Sequence, residues 1–221
     1  MTSFTSDAQA FLDAREFLLR HRTDYERAYR EFSWPKVETF NWALDYFDVM
    51  ARGNDNPALW IVDDAAGGGA KFTFAQMAER SSRMANFLRE QGVGRGDRLL
   101  LMLPNRVELW DVMLAAMKLG AIVLPATTQL SSDDVRERVE TGAVGMVVVD
   151  AAELGKFDAL DAAVKRIAVG AEPGAAPGWI DLGRAYGASA SFTPDGATQA
   201  TDTLLLYFTS GTTSKPKLVE H

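Results

Sequence analysis

The sequence predicts an α/β fold, a mainly parallel sheet with helices on both faces, and three observations predict it. Short apolar runs alternate with amphipathic stretches from about residue 71 to residue 149. Two of the runs, Arg98-Leu-Leu-Leu-Met-Leu103 and Gly145-Met-Val-Val-Val149, are continuous rather than alternating, as in strands covered on both faces. The stretches between strands are long enough to return the chain across a sheet, which parallel neighbours require. With 221 residues, 47% of them apolar, the chain can bury one large core or two joined lobes.

Ser6 to Glu31 carries Phe11, Leu12, Leu18, Leu19, Tyr25 and Tyr29 at helical spacings among many charges, and Pro35 is expected to end it. Residues 1–37 are therefore read as a helical N-terminal extension and 38–221 as an α/β unit. Trp42 to Ala51 predicts a second helical stretch. Ala58-Leu-Trp-Ile-Val-Asp63 predicts a strand, closed by the glycine-rich turn Ala65 to Gly69. Lys71 to Phe74 is a short strand, and Thr73 is placed to cap a helix whose stripe is Met77, Met84, Phe87 and Leu88.

That helix stops at Gly92, where Val-Gly-Arg-Gly-Asp97 predicts a tight turn. After the strand Arg98 to Leu103, Pro104-Asn105 leads into a helix running through Lys118, with Asn105 as its expected cap. Ala121 to Leu124, Ser131 to Glu140 and Gly145 to Val149 follow as strand, helix and strand. Ala151 to Lys165 is expected to be helical, Arg166 to Val169 an edge strand and Gly170 to Pro177 a loop. Thr203-Leu-Leu-Leu-Tyr-Phe208 is the last apolar strand.

Composition narrows the chemistry. Thirty acidic against 23 basic side chains give a net charge of -7, which disfavours a nucleic-acid partner. There is no cysteine, so disulfides, thiolate metal sites and thiol nucleophiles are excluded. The two histidines cannot make a zinc site alone, and no metal site is assigned. No apolar run reaches the roughly 20 residues of a membrane helix, and a soluble, cytoplasmic protein is expected.

The last strand delivers Thr209-Ser-Gly-Thr-Thr-Ser-Lys-Pro-Lys217 at its C-terminal end, where ligands bind in open α/β sheets. Backbone amides around Gly211, the hydroxyls of Thr209, Ser210, Thr212 and Thr213, and the charges of Lys215 and Lys217 suit phosphate oxygens. On chemistry alone, phosphate binding and an ordinary solvated turn are equally good readings. The pattern G-x-x-x-x-G-K-[ST] does not fit, since no second glycine precedes a lysine and Pro216 stands where that element would begin its helix.

The nine-residue stretch closely resembles the phosphate loop of the adenylate-forming superfamily, which includes acyl-CoA synthetases, luciferases and adenylation domains of peptide synthetases. Lys71-Phe-Thr-Phe-Ala-Gln-Met77, Gly92-Val-Gly-Arg-Gly-Asp-Arg98, Leu103-Pro-Asn105 and Met117-Lys-Leu-Gly-Ala-Ile-Val-Leu-Pro125 resemble earlier blocks of that family, in the same order. Leu124-Pro-Ala-Thr-Thr-Gln-Leu130 and Lys217-Leu-Val-Glu-His221 are most similar to the medium-chain acyl-CoA and acetyl-CoA synthetase branch. The resemblance covers about residues 38 to 221. Many relatives have glycine at Ser214, and if that position needs positive φ, serine costs on the order of 1 kcal/mol.

The resemblance implies the N-terminal portion of an ATP-dependent acyl-CoA synthetase. A fatty or aromatic carboxylic acid, ATP and CoA would become acyl-CoA, AMP and pyrophosphate by way of an acyl-adenylate. Thr209, Ser210, Gly211, Thr212, Thr213 and Lys217 would hold the ATP phosphates, with Ser214 and Lys215 as secondary candidates. The magnesium ligand, the adenine and ribose contacts and the adenylating lysine are expected beyond His221, so the 221 residues alone are expected to be inactive and to self-associate through uncovered apolar surface. The alternative is a non-catalytic nucleotide-binding or interaction module. Other residues have plainer roles: Trp110, Phe87 and Met84 as core, His21 as a solvated helix residue, Asp133-Asp134 as a helix start and Asp63-Asp64 as a strand end.

Overall fold

The computed structural model describes residues 4–63, 68–172, 174–209 and 216–221. Its centre is a five-stranded parallel sheet in the order β4-β3-β5-β6-β7, made of Ile122–Pro125, Arg98–Met102, Met146–Asp150, Lys165–Val169 and Ile180–Asp181 in that order. Two antiparallel hairpins accompany it, β1 (Pro57–Asp63) with β2 (Gly68–Thr73) and β8 (Leu206–Thr209) with β9 (Lys217–Glu220). The continuous apolar reading of β3 is correct: Leu99, Leu100, Leu101 and Met102 are all buried.

Both sheet faces are covered. Leu99, Leu101, Met146, Val148 and Ile167 pack against α4 (Phe74–Glu90) and α5 (Val107–Leu119). Leu100, Met102, Leu124, Val147 and Val149 face the other way, toward Val135 and Val139 of α6 (Ser132–Thr141) and the buried Phe157. Full burial of each such side chain stabilises the fold by about 1.5–3 kcal/mol, so neither face can be left open.

Local signals set the boundaries. Thr73 caps α4 in a reciprocal box: its Oγ1 accepts from Gln76 N at 3.2 Å, and its own N–H donates to Gln76 Oε1 at 2.9 Å. Ser131 and Asp134 start α6 the same way. Gly120 ends α5 with φ of 68°, a left-handed position glycine adopts without strain. Asn105 does not cap α5; the turn falls one residue later at Arg106, whose side chain makes no capping bond.

Several elements differ from expectation. Ser6 to Glu31 is two helices, α1 (Ser6–Arg20) and α2 (Tyr25–Glu31), because Asp24 caps a new start and α2 closes at Phe32, before Pro35 is reached. His21 is the half-buried C-cap of α1, its ring 4.7 Å from that of Phe17. Trp42–Phe47 is a turn of π-helix followed by α3 (Asp48–Ala51). Asn41 holds its start, accepting from Ala43 and Leu44 N–H and donating to Met117 O at 2.6 Å.

Of the stretch Ala151 to Lys165, only Ala151–Phe157 is helical, as a 3₁₀ helix. Asp161 then draws the Ala163 N–H to its own carboxylate at 2.8 Å and breaks the pattern. β6 is not an edge, since the short β7 pairs along its outer side. Phe87 and Met84 are core, but Trp110 is 44% exposed and lines an apolar groove of about 630 Å³ with Trp42, Tyr46 and Met113. It lies on the face of α5 turned from the sheet, which the helical repeat alone does not distinguish.

Two ionic clusters tie the layers together. The fully buried Asp111 of α5 accepts from Arg80 of α4 at 2.6 Å and from the Tyr186 hydroxyl at 2.7 Å. Burial pushes the Asp111 carboxyl up against the downward pull of Arg80 and Tyr186, and burial with the Asp111 charge pushes the Tyr186 phenol up as well. Lys118, also buried, pairs with Asp48 at 2.8 Å and donates to Ser82 Oγ at 2.9 Å, which fixes α3 against α5 and α4. At the N-terminus, Asp7 accepts from the Thr39 N–H at 2.9 Å and the Glu38 N–H at 3.0 Å.

Replacing Asp111 with alanine strands the Arg80 charge and is expected to lower the unfolding free energy by about 3 kcal/mol. Tyr186→Phe removes one hydroxyl bond and costs about 1 kcal/mol. Chemical denaturation measures both, and equal effects would contradict a buried ionic centre. The backbone N–H groups of Thr39 and Glu38 hold the Asp7 carboxyl below its ordinary value. Its contribution is therefore present above the ordinary aspartate pKa and lost as pH falls below it. Amide exchange at Thr39 is expected to accelerate in that acid window, and Asp7→Asn to remove the pH dependence.

Candidate phosphate-binding site

The site is built on the β8–β9 hairpin. Leu206 is buried in the α6-side core, Phe208 is half-buried and Tyr207 and Thr209 are exposed, so alternate side chains anchor β8 while its end stays open. The hairpin register places Leu206 opposite Glu220, Phe208 opposite Leu218 and Thr209 opposite Lys217. Thr203 Oγ1 donates to Glu220 at the base, and Leu205 N and His221 N exchange bonds with each other's carbonyls at 3.0 and 2.9 Å.

A parallel bridge between Val123 and Leu205, with Val123 N donating to Leu204 O at 3.1 Å, joins the hairpin to the outer side of β4. β8 thus runs with the parallel strands, and Thr209 emerges at their C-terminal edge. Thr127, just past the end of β4, lines the same cleft as Thr209. This is the edge at which open α/β sheets take ligands.

Of the sequence-predicted phosphate contacts, Thr209 and Lys217 are described, and they face each other on one rung, with Thr209 Oγ1 3.4 Å from Lys217 O. Both are exposed. Ser210, Gly211, Thr212, Thr213, Ser214 and Lys215 lie outside the described residues. The cleft beside the hairpin has a volume of about 470 Å³ and is walled by Leu101, Leu103, Pro125 and Phe208.

Two arginines near this edge escaped the sequence reading. Arg106 follows β3 and holds Glu108 at 2.8 Å and Asp150, at the end of β5, at 2.7 Å. Burial works to raise the Glu108 carboxyl, but the bonds from Arg106 keep it below its ordinary value. Arg138, in the last turn of α6, lies over the Phe208 ring at 4.9 Å from its centroid. Its one sequence signal was its place between the buried Val135 and Val139, where a cation is held at the margin of the core. Among the described residues no three carboxylate or imidazole side chains converge as a metal site.

Residues 47–221 match the family model described as AMP-binding enzyme. The chain belongs to the AMP-binding enzyme family. Among its relatives, the human mitochondrial acyl-coenzyme A synthetase ACSM5 is 31% identical over 193 residues, 83% of this chain and 33% of that protein. Among solved structures, Brucella canis acyl-CoA synthetase superposes with a TM-score of 0.78 at 24% identity, over 89% of this chain and 37% of that one, and shows the same fold. The O-succinylbenzoate coenzyme A synthetase of Bacillus subtilis, solved in complex with AMP, superposes with a TM-score of 0.63 at 25% identity, over 83% of this chain and 42% of that one.

The chain spans about a third of the length of the curated relatives it matches, 33% in the case of ACSM5. No described helix is long and apolar enough to cross a membrane. Within this AMP-binding chain, Leu206 is the buried side chain of the hairpin, joined in holding it to the sheet by the Leu205 bridge and the half-buried Phe208 and Leu218. Truncation of Leu206 to alanine is expected to cost about 2–4 kcal/mol and to speed amide exchange at Phe208 and Leu218 ahead of the β3 amides. Exchange rates that rise uniformly across the sheet would show that the hairpin is not a separately attached unit.

Proposed function

We propose that this chain supplies the phosphate-gripping part of an AMP-forming acid–thiol ligase. The observation that carries the reading is the Thr209–Lys217 rung, which closes the hydroxyl-rich segment 210–215 at the C-terminal edge of a parallel sheet in an AMP-binding chain. In the proposed reaction a carboxylate oxygen attacks the α-phosphorus of ATP, and the bond to the bridging oxygen breaks, releasing pyrophosphate. The thiol of CoA then attacks the acyl carbonyl, loses its proton and expels AMP. Fatty and aromatic carboxylic acids are the proposed acyl donors, and magnesium enters bound to the nucleotide.

The residues of this chain act on the leaving group. Thr209, Ser210, Gly211, Thr212 and Thr213 are the proposed hydrogen-bond donors to the terminal phosphates, with Ser214 and Lys215 adjoining them. Lys217 supplies positive charge where the departing pyrophosphate gains negative charge. Donors fixed before the reaction need no reorganisation as that charge develops, which makes their contribution larger than in water.

The full-length protein is expected to release pyrophosphate and AMP only when ATP and a carboxylic acid are both present. Lys217→Ala is expected to lower kcat/KM for ATP by about a hundredfold. An unchanged kcat/KM, or ATP turnover that gives ADP, would remove the assignment.

A further inference from the structure

Among the described residues lining the cleft beside the hairpin, Arg138 is the one that carries a charge. Its surroundings differ from those of five other arginines, Arg80, Arg83, Arg89, Arg95 and Arg106, which each hold a carboxylate at 3.2 Å or less, and from those of Arg98 and Arg166, which donate to the carbonyls of Gly142 and Leu160. Arg138 forms no ion pair with another described residue; its guanidinium rests on the face of Phe208, and Asp134 acts on it only at a distance. Its neighbour Arg136, on the same helix, is by contrast committed to Asp133 at 2.7 Å.

A guanidinium stacked on a ring keeps its N–H edge available and loses little further freedom on meeting an anion. Here the ring belongs to the residue just before Thr209, so the stack sets the charge beside the start of the loop. Leu101, Leu103 and Pro125 wall the cleft with apolar surface, which weakens solvent screening of that charge. Thr127 and Thr209 bring hydroxyl groups to the same space.

We propose that Arg138 is a further anion-contacting residue of this site, bonding through its guanidinium edge to the pyrophosphate portion of the nucleotide. The assignment rests on the phosphate-loop reading of Thr209 and Lys217. Arg138 is then the cation within the cleft, on α6, while Lys217 stands on the hairpin outside the cleft's described lining. The stack on Phe208 couples them, because any displacement of β8 carries the arginine's platform with it.

The test is a calorimetric titration of the full-length protein with inorganic pyrophosphate, with a parallel titration by CoA. Arg138→Ala is expected to weaken pyrophosphate binding about tenfold, the loss of one charge-assisted contact, and to leave CoA binding unchanged. Arg138→Lys keeps the charge without the planar fork and is expected to weaken it about threefold, which keeps the test open if the alanine variant unfolds. Arg136→Ala, on the same helix, is expected to bind as the parent does.

Pyrophosphate binding that falls with Lys217→Ala but not with either Arg138 variant overturns the role of Arg138 alone. A loss confined to CoA overturns the assignment to pyrophosphate. Absence of pyrophosphate binding by the parent chain overturns the phosphate-loop reading and the role of Arg138 together.

Discussion

Each of the four side chains from Leu99 to Met102 is buried, and in an extended strand they alternate between the two faces of the sheet. That constraint forces a cover on both sides. After β3 the chain must leave along α5 to reach β4, and after β4 it must return along α6 on the opposite face to reach β5. The reversal opens a crevice at the carboxyl ends of β3 and β5, the position at which such sheets commonly hold ligands. Here Arg106 fills it, held by Glu108 and Asp150, with its guanidinium so near Gly170 that a Cβ there would lie 3.1 Å from Nη1. The space left for a ligand is therefore displaced to the other side of β3, where β8 joins β4.

The same covering explains the buried charges. α4 and α5 share one face of the sheet, and α5 is flanked by polypeptide on its far side as well. Polar groups caught between these layers must find partners or forfeit their hydration. Asp111 finds Arg80 and Tyr186, whereas Lys118 finds Asp48 and Ser82. Burial pushes the Lys118 ammonium down and the Asp48 carboxyl up, so the pair is held together against a tendency of each partner to neutralise. Such a pair adds little net stability over apolar side chains of the same shape, whereas loss of one partner leaves the other's charge buried and uncompensated.

Much of this was legible in the sequence where one physical cause dominates. A continuous apolar run has no open face, so β3 and β5 declare themselves as interior strands. Thr73 with Gln76 and Ser131 with Asp134 are local chemistry and need no tertiary context. Reading failed where the deciding partner is distant in the chain. Trp110 has the spacing of a core residue, but which face of α5 meets the sheet depends on α4. Arg166 to Val169 looks like an edge until Ile180–Asp181 comes back beside it. At the candidate site, Thr209 and Lys217 were named from their residue types, and the hairpin register that sets them opposite each other is a pairing no single stretch contains. Arg138 was passed over because a stacked arginine and a solvated one read alike until the ring is placed.

The hairpin's attachment bears on how the site works. One parallel bridge at Leu205 and one buried side chain at Leu206 fix β8 to β4, while among the described residues Phe208 and Thr209 pair with β9 alone. The backbone near Leu205 is thereby tied to the buried parallel sheet, and the strand passes from the buried Leu206 to the exposed Thr209. The Phe208–Arg138 stack lies between these regimes, half-buried on the strand side and open on the cleft side. Under the proposed function, phosphate donors on such a mount would keep their direction relative to the sheet as charge develops on the departing group, which electrostatic stabilisation requires.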